Sequence, residues 1–153
     1  MKITDYLTPE LVVAELAETG KEETLKLLAA RVAAVFPELS EKGILAVLRE
    51  REALGSTGIG GGIAIPHGKM AELEKIVVLF ARSRQGIDFA AVDGQPVHLF
   101  FLLLAPENSA GIHLKTLAQI SRMLKNHDFC EQLREAEDGS SLFAMIKQED
   151  ERS

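Results

Sequence analysis

Two stretches of this chain, Ile76–Ala81 and Leu99–Ala105, are apolar at every position. A strand with one face in water alternates apolar and polar residues, so a run without alternation needs cover on both sides. Both runs fall far short of the roughly 20 residues that a membrane helix needs. Buried strands of this kind belong in a sheet sandwiched between helices, which predicts an α/β layered domain.

The helical patterns fall where that reading needs them. Leu25, Leu28, Ala29, Val32, Val35 and Phe36 share one stripe at helical periodicity, and Pro37 ends it. Thr19 and Glu22 have the spacing of a capping box for that helix. Ser40 caps a second helix to about Leu54. Further helices are predicted from about Gly111 to Lys125, over Phe129–Arg134 and near Ser140–Gln148, with 149–153 as a frayed polar tail. Strands are predicted at Leu11–Leu16, at Ile63–Ile65, at Ile76–Ala81 and at Val97–Leu104, with a turn at Asp93-Gly94. The irregular order of helices and strands favours a mixed β-sheet flanked by helices on both faces over a purely parallel one. No repeat or long linker interrupts the chain, so 1–153 reads as a single domain.

Composition narrows the function classes. With 17 Lys+Arg against 23 Asp+Glu the net charge is −6, which argues against a nucleic-acid binder. The start, Met1-Lys2-Ile3-Thr4-Asp5, meets an acidic residue at once and shows no signal-peptide apolar stretch. Cys130 is the single cysteine, which leaves no internal disulfide and leans toward a reducing compartment. The expectation is an acidic cytoplasmic domain with no direct membrane insertion.

The run Gly55-Ser56-Thr57-Gly58-Ile59-Gly60-Gly61-Gly62 is too glycine-rich for a regular element. It fails as a dinucleotide fingerprint, because Ile63 stands where a third glycine is required and the loop follows a helix and enters a strand. It fails as a P-loop for want of a Lys-Ser/Thr pair. What remains is either a flexible connector or an anion-binding nest flanked by the Ser56 and Thr57 hydroxyls. Arg51 continues the inward stripe Ile44, Val47, Leu48 and Leu54 toward this loop. A guanidinium there either reaches solvent, pairs with a carboxylate or binds phosphate oxygens.

Of the four histidines none has metal-ligand spacing. His98 and His127 read as structural. His113 shares a face with Leu117, Ile120 and Leu124 in the first turn of its helix, where backbone N–H groups favour an anion. His67 is the strongest candidate. It lies between Pro66 and Gly68 at the end of the predicted strand, presented by stiff backbone, with Gly68 leaving space beside it. An imidazole titrating near neutrality is a competent nucleophile toward a phosphoryl group. An arginine, an inward histidine, a Gly/Ser/Thr loop and an exposed histidine together describe a phosphoryl-handling site.

The seventeen residues Glu52–Gly68, ending Ala64-Ile65-Pro66-His67-Gly68, resemble the signature of the fructose/mannitol-type enzyme IIA domains of the bacterial phosphotransferase system. The similarity extends to Asp93-Gly94-Gln95-Pro96-Val97 and to Gly111-Ile112-His113-Leu114, and is greatest to the nitrogen-regulatory branch. The resemblance implies a mixed sheet with flanking helices. It also implies that a histidine phosphocarrier protein donates a phosphoryl group to Nε2 of His67. Arg51 matches the family's active-site arginine and His113 its second histidine. Ser56, Thr57 and Gly68 are the expected phosphate-binding residues. No cofactor or metal is expected. The output is either regulatory target proteins or, alternatively, an enzyme IIB of a sugar transporter; a module that binds a small anion is the remaining reading.

Overall fold

The computed structural model describes residues 2–152. Six strands form one open mixed sheet with five α-helices packed on it. The strands are β1 (Val12–Val13), β2 (Gly58–Gly60), β3 (Ile63–Ala64), β4 (His67–Met70), β5 (Val77–Ile87) and β6 (Val97–Pro106). The helices are α1 (Lys21–Val35), α2 (Glu41–Ala53), α3 (Ala110–Leu124), α4 (His127–Glu135) and α5 (Gly139–Glu151). The sheet order is β1-β5-β6-β3-β2, with β4 also beside β6. β1 runs parallel to β5, β5 antiparallel to β6, and β3 and β4 both parallel to β6.

The two apolar runs lie at the heart of the central antiparallel pair, β5 and β6, and every side chain of Ile76–Ala81 and Leu99–Ala105 is buried. Phe80 lies opposite Phe101, and Arg82 follows on the same face. That face meets α4, because the Arg82 guanidinium donates to the Leu133 and Ala136 carbonyls. Phe100 points to the other face, where it stacks edge-on with Phe89, and the Lys21 ammonium of α1 sits 4.9 Å from the Phe89 ring centre. Both faces are therefore covered, as continuous apolarity demands.

β3 and β4 are successive segments of one line along β6. Ile63 pairs with Leu99 and His67 with Leu103, a single register broken only across Ile65-Pro66. Pro66 has no N–H to give to a ladder, yet its carbonyl still accepts from Leu103 N at 2.9 Å. His67 therefore opens a strand instead of closing one, a correction to the sequence expectation.

Other boundaries differ for local reasons. The first strand shrinks to Val12–Val13 because Pro9–Leu11 takes a 3-10 turn. β5 runs past Ala81 because Arg82, though charged, is buried with carbonyl partners. The Thr19–Glu22 capping box does not form: Gly20 is the N-cap of α1 and Glu22 instead pairs with Arg49 of α2. Ser40 does cap α2, accepting from Gly43 N at 3.1 Å. The tail expected to fray at 149–153 continues as α5 to Glu151. Its Asp150 is fully buried and accepts hydrogen bonds from Ile3 N, Thr4 N, Thr4 Oγ1 and Gln119 Nε2.

Candidate active site

α2 is anchored by Ile44 and Leu48, both fully buried, and its last turn ends against the glycine loop. Arg51, one turn beyond Leu48, follows that stripe to the rim of the sheet. Its Nη1 donates to the Gly55 carbonyl at 2.9 Å, and its Nε donates to Nε2 of His67 at 3.3 Å. Leu54 leaves the stripe: it is the C-cap of α2 and is 83% exposed.

The other ring nitrogen of His67, Nδ1, lies 2.8 Å from the Ile65 carbonyl. A carbonyl only accepts, so Nδ1 carries the proton and Nε2 presents a lone pair to Arg51. One hydrogen bond on each nitrogen thus fixes both ring orientation and tautomer.

His113, in the first turn of α3, is 6% exposed and meets His67 edge-on, with ring centres 5.6 Å apart. Burial, followed by the nearby His67 and Lys69, pushes its pKa below the ordinary histidine value, so the ring stays neutral near pH 7. Its Nδ1 is buried without a hydrogen-bond partner among the described residues. An unpaired buried polar atom is costly, and a ligand oxygen or partner group would relieve it.

Arg51, His67, Gly68, Lys69, His113 and Leu114 line a single open cavity of about 400 Å³. Four of the residues singled out from the sequence, Arg51, His67, Gly68 and His113, therefore converge. Lys69 was missed. It lies two residues past His67 on β4 and so projects to the same side, a relation visible only once that segment is known to be a strand.

Ser56 and Thr57 are not among the cavity's lining residues. The Ser56 hydroxyl donates to the Phe89 carbonyl and accepts from Gly58 N. The Thr57 hydroxyl and amide both donate to the carboxylate of Glu52. These contacts brace the loop. Gly68 lines the cavity, but a Cβ there would lie 2.2 Å from Val47 Cγ1. The glycine is needed for the approach of α2 to β4.

An oriented imidazole lone pair beside a guanidinium, an ammonium and a second imidazole suits attack on an anionic electrophile. Residues 5–149 match the family model described as phosphoenolpyruvate-dependent sugar phosphotransferase system, EIIA 2. The chain is 44% identical over 146 residues to a nitrogen regulatory protein of Bradyrhizobium diazoefficiens, covering 95% of each. It is 33% identical over 150 residues to a fructose-specific EIIABC component of Bacillus subtilis, covering 98% of this chain and 24% of that protein. The crystal structure of nitrogen regulatory protein IIA-Ntr from Neisseria meningitidis superposes with a TM-score of 0.87 at 31% identity, covering 94% of this chain and 98% of that one. On the family match and these identities, the chain belongs to the EIIA type 2 family of the phosphoenolpyruvate-dependent sugar phosphotransferase system.

Proposed function

We propose that the protein is a phosphorelay component that accepts a phosphoryl group onto Nε2 of His67 from the phosphohistidine of a carrier protein. The observation that carries this reading is the pair of hydrogen bonds on the His67 ring, which leaves Nε2 unprotonated and turned toward Arg51. In the transfer, the Nε2 lone pair forms the new N–P bond while the donor's N–P bond breaks, and the donor imidazole leaves with that electron pair. Charge spread over the three equatorial oxygens is met by Arg51, with Lys69 at the cavity wall. His113, neutral and unpaired at Nδ1, is available to a phosphoryl oxygen. Both the bond broken and the bond formed join phosphorus to an imidazole, so the step runs close to thermoneutral, as a relay requires.

The donor is a protein on this reading. Leu114 at the cavity wall is 67% exposed, and Leu54 beyond Arg51 is 83% exposed, apolar surface of the kind a protein partner covers. The output is regulatory: phosphorylation of His67 changes the charge of this face and with it the set of proteins that bind there. The 44% identity to a nitrogen regulatory protein over 95% of both chains supports that output. The 33% identity to a fructose-specific component supports the second reading, transfer to an enzyme IIB. No helix among the described residues is long and apolar enough to cross a membrane.

The test is intact-mass spectrometry after incubation with phosphoenolpyruvate, enzyme I and the phosphocarrier, beside His67→Ala. One acid-labile phosphate on the wild type alone is expected. No uptake, or uptake retained in His67→Ala, removes the assignment. Discharge by a cognate enzyme IIB with sugar would favour the transport reading.

A further inference from the structure

The Ile65 carbonyl that sets the His67 tautomer is itself held from a distance. The Ile65 amide donates to the Thr57 carbonyl at 3.0 Å across the base of the β2–β3 hairpin. The Thr57 amide donates to Oε1 of Glu52 at 3.0 Å, and the Thr57 hydroxyl donates to Oε2 of the same carboxylate. Lys21 of α1 completes the line with an ammonium 2.9 Å from Glu52 Oε1. Thr57 is 3% exposed and the Glu52 side chain 5%, so little of this chain of contacts is shared with water. Hydrogen bonds in series in a low-dielectric interior polarise and align one another.

The last turn of α2 thus grips the loop twice. Arg51 holds the Gly55 carbonyl and faces Nε2, and the next residue, Glu52, holds Thr57 and through it the carbonyl facing Nδ1. We propose that Glu52 is a positioning residue: by fixing Thr57 it holds the Ile65 carbonyl in place and so keeps His67 in the Nδ1–H, Nε2-lone-pair form. The inference rests on His67 Nε2 being the phosphoryl acceptor, but the tautomer is measurable without any phosphoryl transfer.

The variants are Glu52→Gln, which keeps the shape but replaces one acceptor oxygen with an NH₂, and Thr57→Val, which removes the hydroxyl link. Thr57→Ser keeps that link and serves as the rescue. Long-range ¹H–¹⁵N spectra of the His67 ring report the tautomer, and circular dichroism melts report the fold. The wild type is expected to show a single Nδ1–H form, with Glu52→Gln and Thr57→Val giving a mixture and Thr57→Ser restoring the single form. Phosphorylation rates should fall by roughly three- to tenfold in the first two variants, the scale of one net hydrogen bond, and recover in Thr57→Ser. An unchanged tautomer in both folded variants overturns the proposal, as does a Thr57→Ser spectrum no better than Thr57→Val. If the wild type takes up no phosphate while the tautomer still shifts, the positioning role stands and the phosphoryl-acceptor reading fails.

Discussion

Nε of Arg51 donates to Nε2 of His67 at 3.3 Å, and this contact occupies the very lone pair that the proposed chemistry uses. The arrangement is a resting one: as phosphorus approaches Nε2, the guanidinium must turn its N–H groups from the nitrogen to the incoming oxygens. Its anchor on the Gly55 carbonyl, through a different nitrogen, keeps the group at the site during that exchange.

Arg51→Ala is therefore expected to slow phosphoryl uptake by about 10²–10³-fold, the loss seen when one preorganised charge-stabilising donor is removed. Arg51→Lys should recover only part of the rate, since an ammonium cannot bond Gly55 and the phosphoryl group as a planar fork can. Rapid-quench measurement with phosphorylated carrier checks both. A wild-type rate in Arg51→Ala would make the arginine a loop brace only.

His113 makes the site sensitive to acid. Burial, His67 and Lys69 hold its pKa below the ordinary 6.5, so on acidification the unfolded chain takes up this proton before the folded one does. The stability contributed by the neutral ring is complete above pH 6.5 and is lost as pH falls through the lowered folded value. Urea unfolding at pH 7.5 and 5.5 should show a larger loss for wild type than for His113→Gln; equal losses would count against it. A phosphoryl group on His67 adds negative charge beside a ring whose centre is 5.6 Å away, so the His113 titration should move upward on phosphorylation.

Gly68 tests how tightly α2 is seated. The Cβ of Gly68→Ala would lie 2.2 Å from Val47 Cγ1, too close without movement of helix or strand. The variant should lose about 1–3 kcal/mol, as overpacked sites do. Val47→Ala in the same chain should return most of that loss, and a double-mutant cycle by urea unfolding measures the coupling. Additive effects would mean the strain is relieved elsewhere.

The elements whose signal is periodic were legible in the sequence, and those set by tertiary partners were not. The stripe Ile44-Leu48-Arg51 aimed the arginine correctly, because an α-helix repeats regardless of what it packs on. Leu54, one turn on, fell outside the rule because the helix had already ended. β4 has four residues, one of them Gly68 and another Lys69, and is a strand only because β6 offers it a parallel ladder; without it Lys69 had no reason to be placed with His67. Ser56 and Thr57 have the residue types of an anion loop, but their hydroxyls were claimed by the Phe89 carbonyl and Glu52, partners 33 and 5 residues distant.

The C-terminal segment misled in the same way, for its polar residues suggested solvent while Asp150 is fully buried. One carboxylate there accepts the amides of Ile3 and Thr4, the Thr4 hydroxyl and the Gln119 amide, tying the first residues of the chain and α3 to α5. Asp150→Ala strands all four donors, and each buried donor left unpaired costs about 1–3 kcal/mol, so a total loss of at least ~3 kcal/mol is expected. Asp150→Asn, which keeps one acceptor oxygen, should lose less. Because Gln119 lies on the helix that carries His113, hydrogen exchange in Asp150→Ala should quicken in α3 as well as at residues 3–4, and phosphoryl uptake should fall with it. Faster exchange confined to the last turn of α5 would show that Asp150 closes only the terminus and that α3 is held by its apolar packing alone.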